Sequence, residues 1–331
     1  MLIRSVLRGR RNLEGYITEV AIKSKAQLVI SMQDNLSALY RLRQWLPQTP
    51  VALVQNGLRS LRGDLLTEIQ SSDVANWQID FYFGFTQQSC DQVGELATKR
   101  IPIGSFRSNC TPRSHIAKDQ VLSYISTLRT DIPLTTIIGG WADKTPVTYR
   151  DILTERLRIL REVLHIGQKY GLRPRVLGKG PTHFAEEDFY RKHLPDFDFE
   201  FVPRIDISTQ YRQVDRSTIS VSTSSTLGYE SLARGNRTVI LQPDAHILRD
   251  PSLRFGWPTL TESEGTFWST SASSQRIQEI LYFVNFATDL QWQQAVTQTI
   301  GILPDFDPGN TRFVRQLSSW GAQQPHPREE I

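Results

Sequence analysis

The chain has 331 residues, 38 of them Lys or Arg and 34 Asp or Glu, for a formal charge of +4 and a sequence pI near 9.1. Its apolar share of 39% and charged share of 22% are those of a globular enzyme, and no apolar run approaches the roughly 20 residues that span a bilayer. Cys90 and Cys110, the only cysteines, exclude a disulfide framework, and zinc-finger spacing, RNP-type aromatics and basic helices are missing. Nucleic acid is therefore excluded as a partner, and the basic balance points to phosphorylated small molecules or an anionic membrane surface.

The length predicts two domains. The opening, MLIRSVLRGRRNLEG, is basic and lacks a signal-peptide h-region, so a cytoplasmic protein is expected. A helical pattern over Leu13–Lys23 leads into the buried-strand run QLVISM, which ends in Asp34–Asn35. LSALYRLRQWL is helical and leads to the strand VALVQ, ending in Asn56–Gly57. LRGDLLTEIQSS, IDFYFGF, DQVGELAT and RIPIGSF continue the alternation of helix and strand. Short apolar strands without hairpin dipeptides predict a parallel sheet covered by helices on both faces. CTPRSHIAKDQ reads as a connector, with VLSYISTLR as a helix inside it, and the rhythm resumes at LTTIIGG. A long helix is predicted from about Val147 to Tyr170, closed by Gly171. RPRVLGKG, the helix FAEEDFYRKHL, the strand FDFEFV and three late helical patterns near 274–285, 290–300 and 311–319 complete the series.

This order predicts an α/β protein of two Rossmann-like lobes facing a cleft, with a short first lobe. Residues 1–130 form the acceptor side, 131–305 the nucleotide-sugar side, and 306–331 a helix with a flexible tail. Ligands of open α/β sheets lie beyond the carboxyl ends of the strands, so the strand-end junctions are the candidate sites, many with glycine for close backbone approach. One such stretch is STISVSTSSTLGYESLARGNRTVILQ, residues 217–242. A helix starting near Ser225 would present unpaired N–H groups and the positive end of its dipole to a phosphate. Ser224, Ser225 and Thr226 add hydroxyls, and Glu230 could accept from ribose. The same Ser and Thr residues are equally good helix caps. Gly178, Lys179 and Gly180 offer N–H groups and an ammonium to phosphate, without Walker A spacing.

In the first lobe, Asp34 is the candidate base or nucleophile, although Asp and Asn also cap helices well. Asn35, Asn56, Gly57 and Arg59, with Ser105 and Arg107 after the IPIG strand, are candidate acceptor or sugar contacts. His183, Glu186 and Glu187 read as a solvated helix start. No histidine spacing suits a metal, and the first lobe has no D-x-D between apolar strands, so no metal site and no cofactor beyond the donor is expected.

The stretch STSSTLGYESLARGNRTVIL resembles the nucleotide-binding segment of GT-B glycosyltransferases, and more closely that of surface-carbohydrate biosynthesis transferases. The pattern S-x-S-T-L-G-x-E-x-x-x-R-G there follows an extended segment ending in tyrosine, a part that Tyr211 would play. VISMQDN, VALVQNGLRS, FYFGF and IPIGSFRSN resemble that group's first-lobe strand ends, over about residues 15–245. Two departures are the short first lobe, which would fit a missing amino-terminal portion, and an atypical IIGGWADK junction. The resemblance implies a metal-independent glycosyltransferase that moves a sugar from a nucleotide donor to a lipopolysaccharide, O-antigen or capsule acceptor. A glycan or lipid-linked glycan would be its second substrate, with peripheral contact at the inner face of the plasma membrane. A CMP-activated acidic sugar stays open as donor. A nucleotide-sugar epimerase or hydrolase on the same fold, and a non-catalytic nucleotide-sugar-binding module, are the alternatives.

Overall fold

The computed structural model describes residues 12–61, 64–71, 74–113, 118–140, 145–180, 183–259 and 262–323. The chain forms two compact units, one up to Pro112 together with the segment from Pro304 onward, the other Arg113–Leu303. In the first unit the order is α1 (Leu13–Lys23), β1 (Val29–Ser31), α2 (Ser37–Tyr40), β2 (Val51–Val54), α3 (Leu65–Ser71), β3 (Ile79–Gly84), α4 (Gln87–Val93), β4 (Ala97–Pro102) and α5 (Phe106–Asn109). Helix α1 starts where predicted because Asn12 caps it, its Oδ1 accepting from the Gly15 N–H at 2.9 Å. The four strands are parallel in the order β1-β2-β3-β4. Along β2, Val51 and Leu53 pack into one core with Leu39 and Tyr40, while Ala52 and Val54 pack into another with Phe81 and Phe83. A sheet buried on both faces explains why the sequence shows continuous apolar runs instead of alternation.

The second unit contains β5 (Asp119–Ile125), β6 (Ile137–Gly140), β7 (Pro146–Thr148), α6 (Tyr149–Lys169), β8 (Arg173–Leu177), α7 (His183–His193), β9 (Glu200–Val202), α8 (Ile207–Arg216), β10 (Ser217–Ser222), α9 (Thr226–Ala233), β11 (Thr238–Leu241) and α10 (Pro243–Ile247). It continues with β12 (Glu264–Gly265), β13 (Trp268–Ser269), α11 (Ser274–Phe286) and α12 (Asp289–Thr297). Its sheet has the order β12-β13-β11-β10-β5-β8-β9, parallel except for β12 against β13. From β5 the chain moves outward through β8 and β9, then returns to the other side of β5 for β10 and β11. That reversal is a topological switch point between β5 and β10. The first sheet, among the described residues, has no such reversal.

Several expectations change here. VLSYISTLR is no helix in a connector: β5 is an interior strand of the sheet, with Val121, Leu122, Tyr124 and Ile125 all buried and β8 and β10 paired on either side. The boundary between units therefore falls at 112, ahead of the expected 130. LTTIIGG does not restart the sheet, since β6 pairs only with β7 in a two-stranded ribbon. The segment carrying Tyr211 is helical, with an Asp206 cap, where an extended stretch was expected. The last helix, α13 (Thr311–Gln323), belongs to the first unit. Phe313 packs edge-on against Phe83 and Phe106, and Trp320 against Phe81. Asn109 anchors the returning chain, donating to Asn310 Oδ1 and accepting from the Asp307 N–H.

Candidate functional site

Four neighbouring strands of the second sheet deliver their carboxyl ends to one edge. β10 stops at Ser222, and Ser225 caps α9, its Oγ accepting from the Leu227 N–H at 3.3 Å. Ser224 is exposed and Ser225 and Thr226 are half-buried, so this turn lies at the surface. Gly228 is required by packing. A Cβ there would come within 2.5 Å of the Ser222 Cβ and 2.9 Å of Ile240 Cδ1, so the helix lies directly on β10 and β11.

The donors at this turn differ from expectation. The Ser225 N–H is taken by Ser222 Oγ, the Leu227 N–H by Ser225 Oγ and the Gly228 N–H by the Ser225 carbonyl. Ser224 remains exposed at this turn, with the helix dipole behind it. The Gly178–Lys179–Gly180 loop after β8 behaves alike: Lys179 N–H and Gly180 N–H donate to the Glu186 carboxylate at 2.9 and 3.4 Å. Glu186, expected in solvent, is 3% exposed and also accepts from Ser126 Oγ. Its burial is forced by that ring of donors, a pattern that sequence spacing does not reveal. Gly178 is tight for an internal reason too, its Cβ position lying 2.8 Å from the Phe201 ring. The exposed group of the loop is the Lys179 side chain. Desolvation, then Arg129 and Arg156, lower its pKa against the pull of Asp131 and Glu186.

Residues that sequence reasoning missed join these loops. Arg156 of α6 reaches the end of β11 and forms a two-pronged pair with Asp244, Nε to Oδ1 at 3.1 Å, while its Nη1 donates to Thr127 Oγ1 at 2.9 Å after β5. Ser224 Oγ donates to the same Asp244 at 3.1 Å, and Tyr124 OH and Thr223 Oγ1 lie 3.2 Å apart beneath. The ends of β5, β10 and β11 are thus tied into one network beside Lys179. An arginine midway along an amphipathic helix gives no local signal of this. Glu230 is 5% exposed and buried in α9, and Tyr211 is 5% exposed with the Arg234 guanidinium 5.5 Å from its ring centre. Neither presents an open surface.

In the first unit the strand-end residues form a closed cluster. Asp34 is 0% exposed and accepts four hydrogen bonds: the Asn56 N–H and Arg59 Nη2 at Oδ1, 2.9 and 2.6 Å, and Arg59 Nε and Tyr82 OH at Oδ2, 3.1 and 3.0 Å. Burial raises its pKa, while Arg59, Asn56 and Tyr82 pull it down. The four acceptor positions of a carboxylate are filled, so the expected base or nucleophile lies enclosed. Arg59, expected to meet an anionic ligand, meets Asp34 and Asp64 instead, the latter at 3.1 Å. Asn56 Oδ1 accepts from Arg59, and Gly57 O from the Gln55 side chain. Asn35 is exposed. Ser105 is 2% exposed and caps α5, and Arg107 is half-buried. Gly104 beside them, at φ 75°, makes room for the chain itself: a Cβ would lie 1.9 Å from the Asp305 carbonyl oxygen.

Two Rossmann-like parallel sheets, the second with its switch point and its hydroxyl- and cation-lined edge, define a GT-B-type α/β protein. Residues 52–320 match the model of the family described as "putative O-antigen biosynthesis protein". The chain belongs to that family, and with it to surface-carbohydrate biosynthesis. No curated protein matches the sequence. Among solved structures it is similar to a UDP-N-acetylglucosamine 2-epimerase at 14% identity and TM-score 0.55, over 95% of this chain and 78% of that one. It is also similar to S. aureus MnaA in a UDP co-structure, at 13% identity and TM-score 0.54, over 98% and 81% of the two chains. A third is the Methanocaldococcus jannaschii UDP-GlcNAc 2-epimerase in complex with UDP-GlcNAc and UDP, at 12% identity and TM-score 0.51, over 92% and 79%. Similarity at this identity establishes the fold. Among the described residues no helix is long and apolar enough to cross a membrane, and no group of three or more His, Cys, Asp or Glu is placed to hold a metal ion.

Proposed function

We propose that the chain transfers a sugar from a nucleotide-activated donor to a surface-glycan acceptor. The donor's phosphates would lie at the carboxyl edge of the second sheet, against Ser224, Ser225, Thr226 and Lys179, and the acceptor would use the first unit's strand ends, Asn35 foremost because it is exposed. The observation that carries this reading is the state of Lys179. Lys179 is an exposed residue at the sheet edge, yet its pKa is lowered by desolvation and by Arg129 and Arg156. A cation so placed gains from an arriving anion, and the α9 dipole at Ser224 and Ser225 acts in the same sense.

During transfer, negative charge grows on the leaving phosphate. Lys179 and the Ser224 hydroxyl are groups that could take up that charge without a metal ion, while Arg156 offsets the Asp244 carboxylate that would otherwise repel it. Asp34, in this reading, fixes the Asn56–Arg59 loop that shapes the acceptor side. The structural neighbours whose names mention UDP or UDP-GlcNAc favour a uridine nucleotide as the first donor to try. Their 2-epimerase names also support a second reading, conversion of the donor itself.

The test is calorimetric titration with UDP, GDP, CMP and ADP, followed by turnover with the matching nucleotide sugar. One nucleotide should bind, and Lys179→Met should weaken it roughly tenfold without changing the melting temperature. Nucleotide release that depends on added glycan acceptor supports transfer. A 2-epimer or free sugar formed without acceptor would move the assignment to the second reading, and no binding by any nucleotide would overturn both.

A further inference from the structure

The opposite edge of the second sheet carries a different chemistry. Four adjacent strands are each entered beside a cation: Arg237 before β11, Arg216 before β10, Lys118 before β5, and Arg173 as the first residue of β8. With strands about 4.8 Å apart, this row is roughly 15 Å long. Some of the charge is answered within the chain, since Asp119 lies between Arg175 and Arg216 and Asp289 meets Arg237 at 2.9 Å. The row remains crowded with positive charge. Arg113 and Arg237 add to desolvation in lowering the Lys118 pKa to about 8, against the pull of Asp215.

An aromatic patch adjoins this row. Tyr282 and Phe286 of α11 are 60% and 55% exposed, with ring centres 4.9 Å apart. Tyr170, at the end of α6 and next to the exposed Lys169, meets Phe286 edge-on at 5.1 Å. Leu290, 65% exposed, follows at the start of α12. Arg237 links the patch to the row, its Nη1 donating to the carbonyl of Val284, the buried residue midway between Tyr282 and Phe286 in the sequence of α11.

We propose that this amino edge docks on an anionic lipid bilayer, with Tyr282, Phe286 and Leu290 entering the interface and the row of cations facing lipid phosphates. Tyr and Phe settle at the headgroup level, and each Lys or Arg close to an anionic surface adds to binding. A protein partner would have to supply both acidic and apolar groups in this register, whereas a bilayer presents both everywhere. Strands of four to seven residues place the opposite edge roughly 20 Å from the lipid surface. If the transfer reading holds, the growing end of a lipid-linked glycan, and not its anchor, would reach that edge.

The test is co-sedimentation of the full chain with phosphatidylcholine vesicles, with and without phosphatidylglycerol. Binding is expected only with phosphatidylglycerol, and high salt should release it. Two surface variants, Tyr282→Ser with Phe286→Ser, and Lys169→Glu with Arg173→Glu, should each lower the partition coefficient roughly tenfold while melting temperature stays unchanged. Wild-type chain left in the supernatant, or variants that sediment like wild type, would overturn the proposal. So would a concentration-dependent dimer that the Tyr282/Phe286 variant abolishes in the absence of vesicle binding, since the patch would then belong to a second copy. The readout needs no nucleotide, so its failure is separate from that of the transfer reading.

Discussion

Arg156 and Asp244 lie 88 positions apart in the chain and meet through two contacts, one of them Nε to Oδ1 at 3.1 Å, with side-chain exposures of only 11% and 9%. The pair joins α6 to α10, the short helix after β11, and through Thr127 and Ser224 it sets the relative positions of three strand ends. Removing one partner of such a pair strands a charge away from water. Arg156→Met should therefore destabilise the chain by about 3 kcal/mol in urea unfolding. Arg156→Met combined with Asp244→Leu should cost clearly less than the two single changes added together, because the double variant leaves no stranded charge. Additive single effects would show that the pair does not act as a unit.

Asp34 allows a sharp distinction between a positioning carboxylate and a reacting one. Asp34→Asn keeps the shape but replaces an acceptor oxygen by an amide that clashes electrostatically with Arg59 or Tyr82. The expected result is a loss of about 2–4 kcal/mol of stability, with nucleotide affinity in the second unit unchanged. A variant as stable as wild type that has lost turnover alone would return Asp34 to the role of base or nucleophile.

The two thiols should respond oppositely to reagents and pH. Cys110 is exposed, with its Sγ accepting from Asn310 Nδ2 at 3.2 Å. Cys90 is 0% exposed, and burial foremost raises its pKa to about 11. A thiol reagent at pH 8 should label one cysteine in the native chain and both after unfolding. The folded state holds the Cys90 proton from the ordinary thiol range up to about pH 11, where the unfolded chain has already released it. Stability contributed by this group is thus fully present below about pH 8.5 and falls by roughly 2–3 kcal/mol by pH 11. Cys90→Ala should flatten that part of the stability profile. An unchanged profile would show that Cys90 does not carry it.

Much of the framework was legible because it rests on local rules. Asn12 capping α1 and Gly171 closing the turn after α6 mark helix ends, and runs such as VALV mark doubly buried strands. The strand-end rule led to Ser224 and Lys179 without knowledge of the sheet order. What could not be read depends on distant partners. β5 has the composition of a helix or a strand, and only its place between β8 and β10 decides. Glu186 resembles any acid in a first helical turn until Ser126 and the 179–180 amides close around it. Arg156 sits on a helix whose arginines look alike in sequence, and Asp34 has the sequence context of an ordinary cap. Free amide donors were expected at both glycine-containing loops because local sequence cannot tell a phosphate site from a turn that satisfies itself.

Gly228 gives the last prediction, and it separates two uses of glycine in helices. In α13, Gly321 has nothing within 4 Å of its Cβ position, so Gly321→Ala should add helix propensity and stabilise by about 0.5–1 kcal/mol. In α9, the Cβ of Gly228→Ala would fall 2.5 Å from Ser222 Cβ and 2.6 Å from its Oγ. Ser222 cannot turn away, because it lies in the buried strand β10 and its hydroxyl holds the Ser225 N–H. The helix must lift from the sheet, and overpacking of this kind costs about 1–3 kcal/mol despite the gain in propensity. Lifting α9 also shifts its cap and Ser224, so Gly228→Ala should weaken the nucleotide that binds wild type, while Gly321→Ala leaves it alone. Equal melting temperatures for the two variants would mean that α9 does not rest on β10 as closely as this geometry requires.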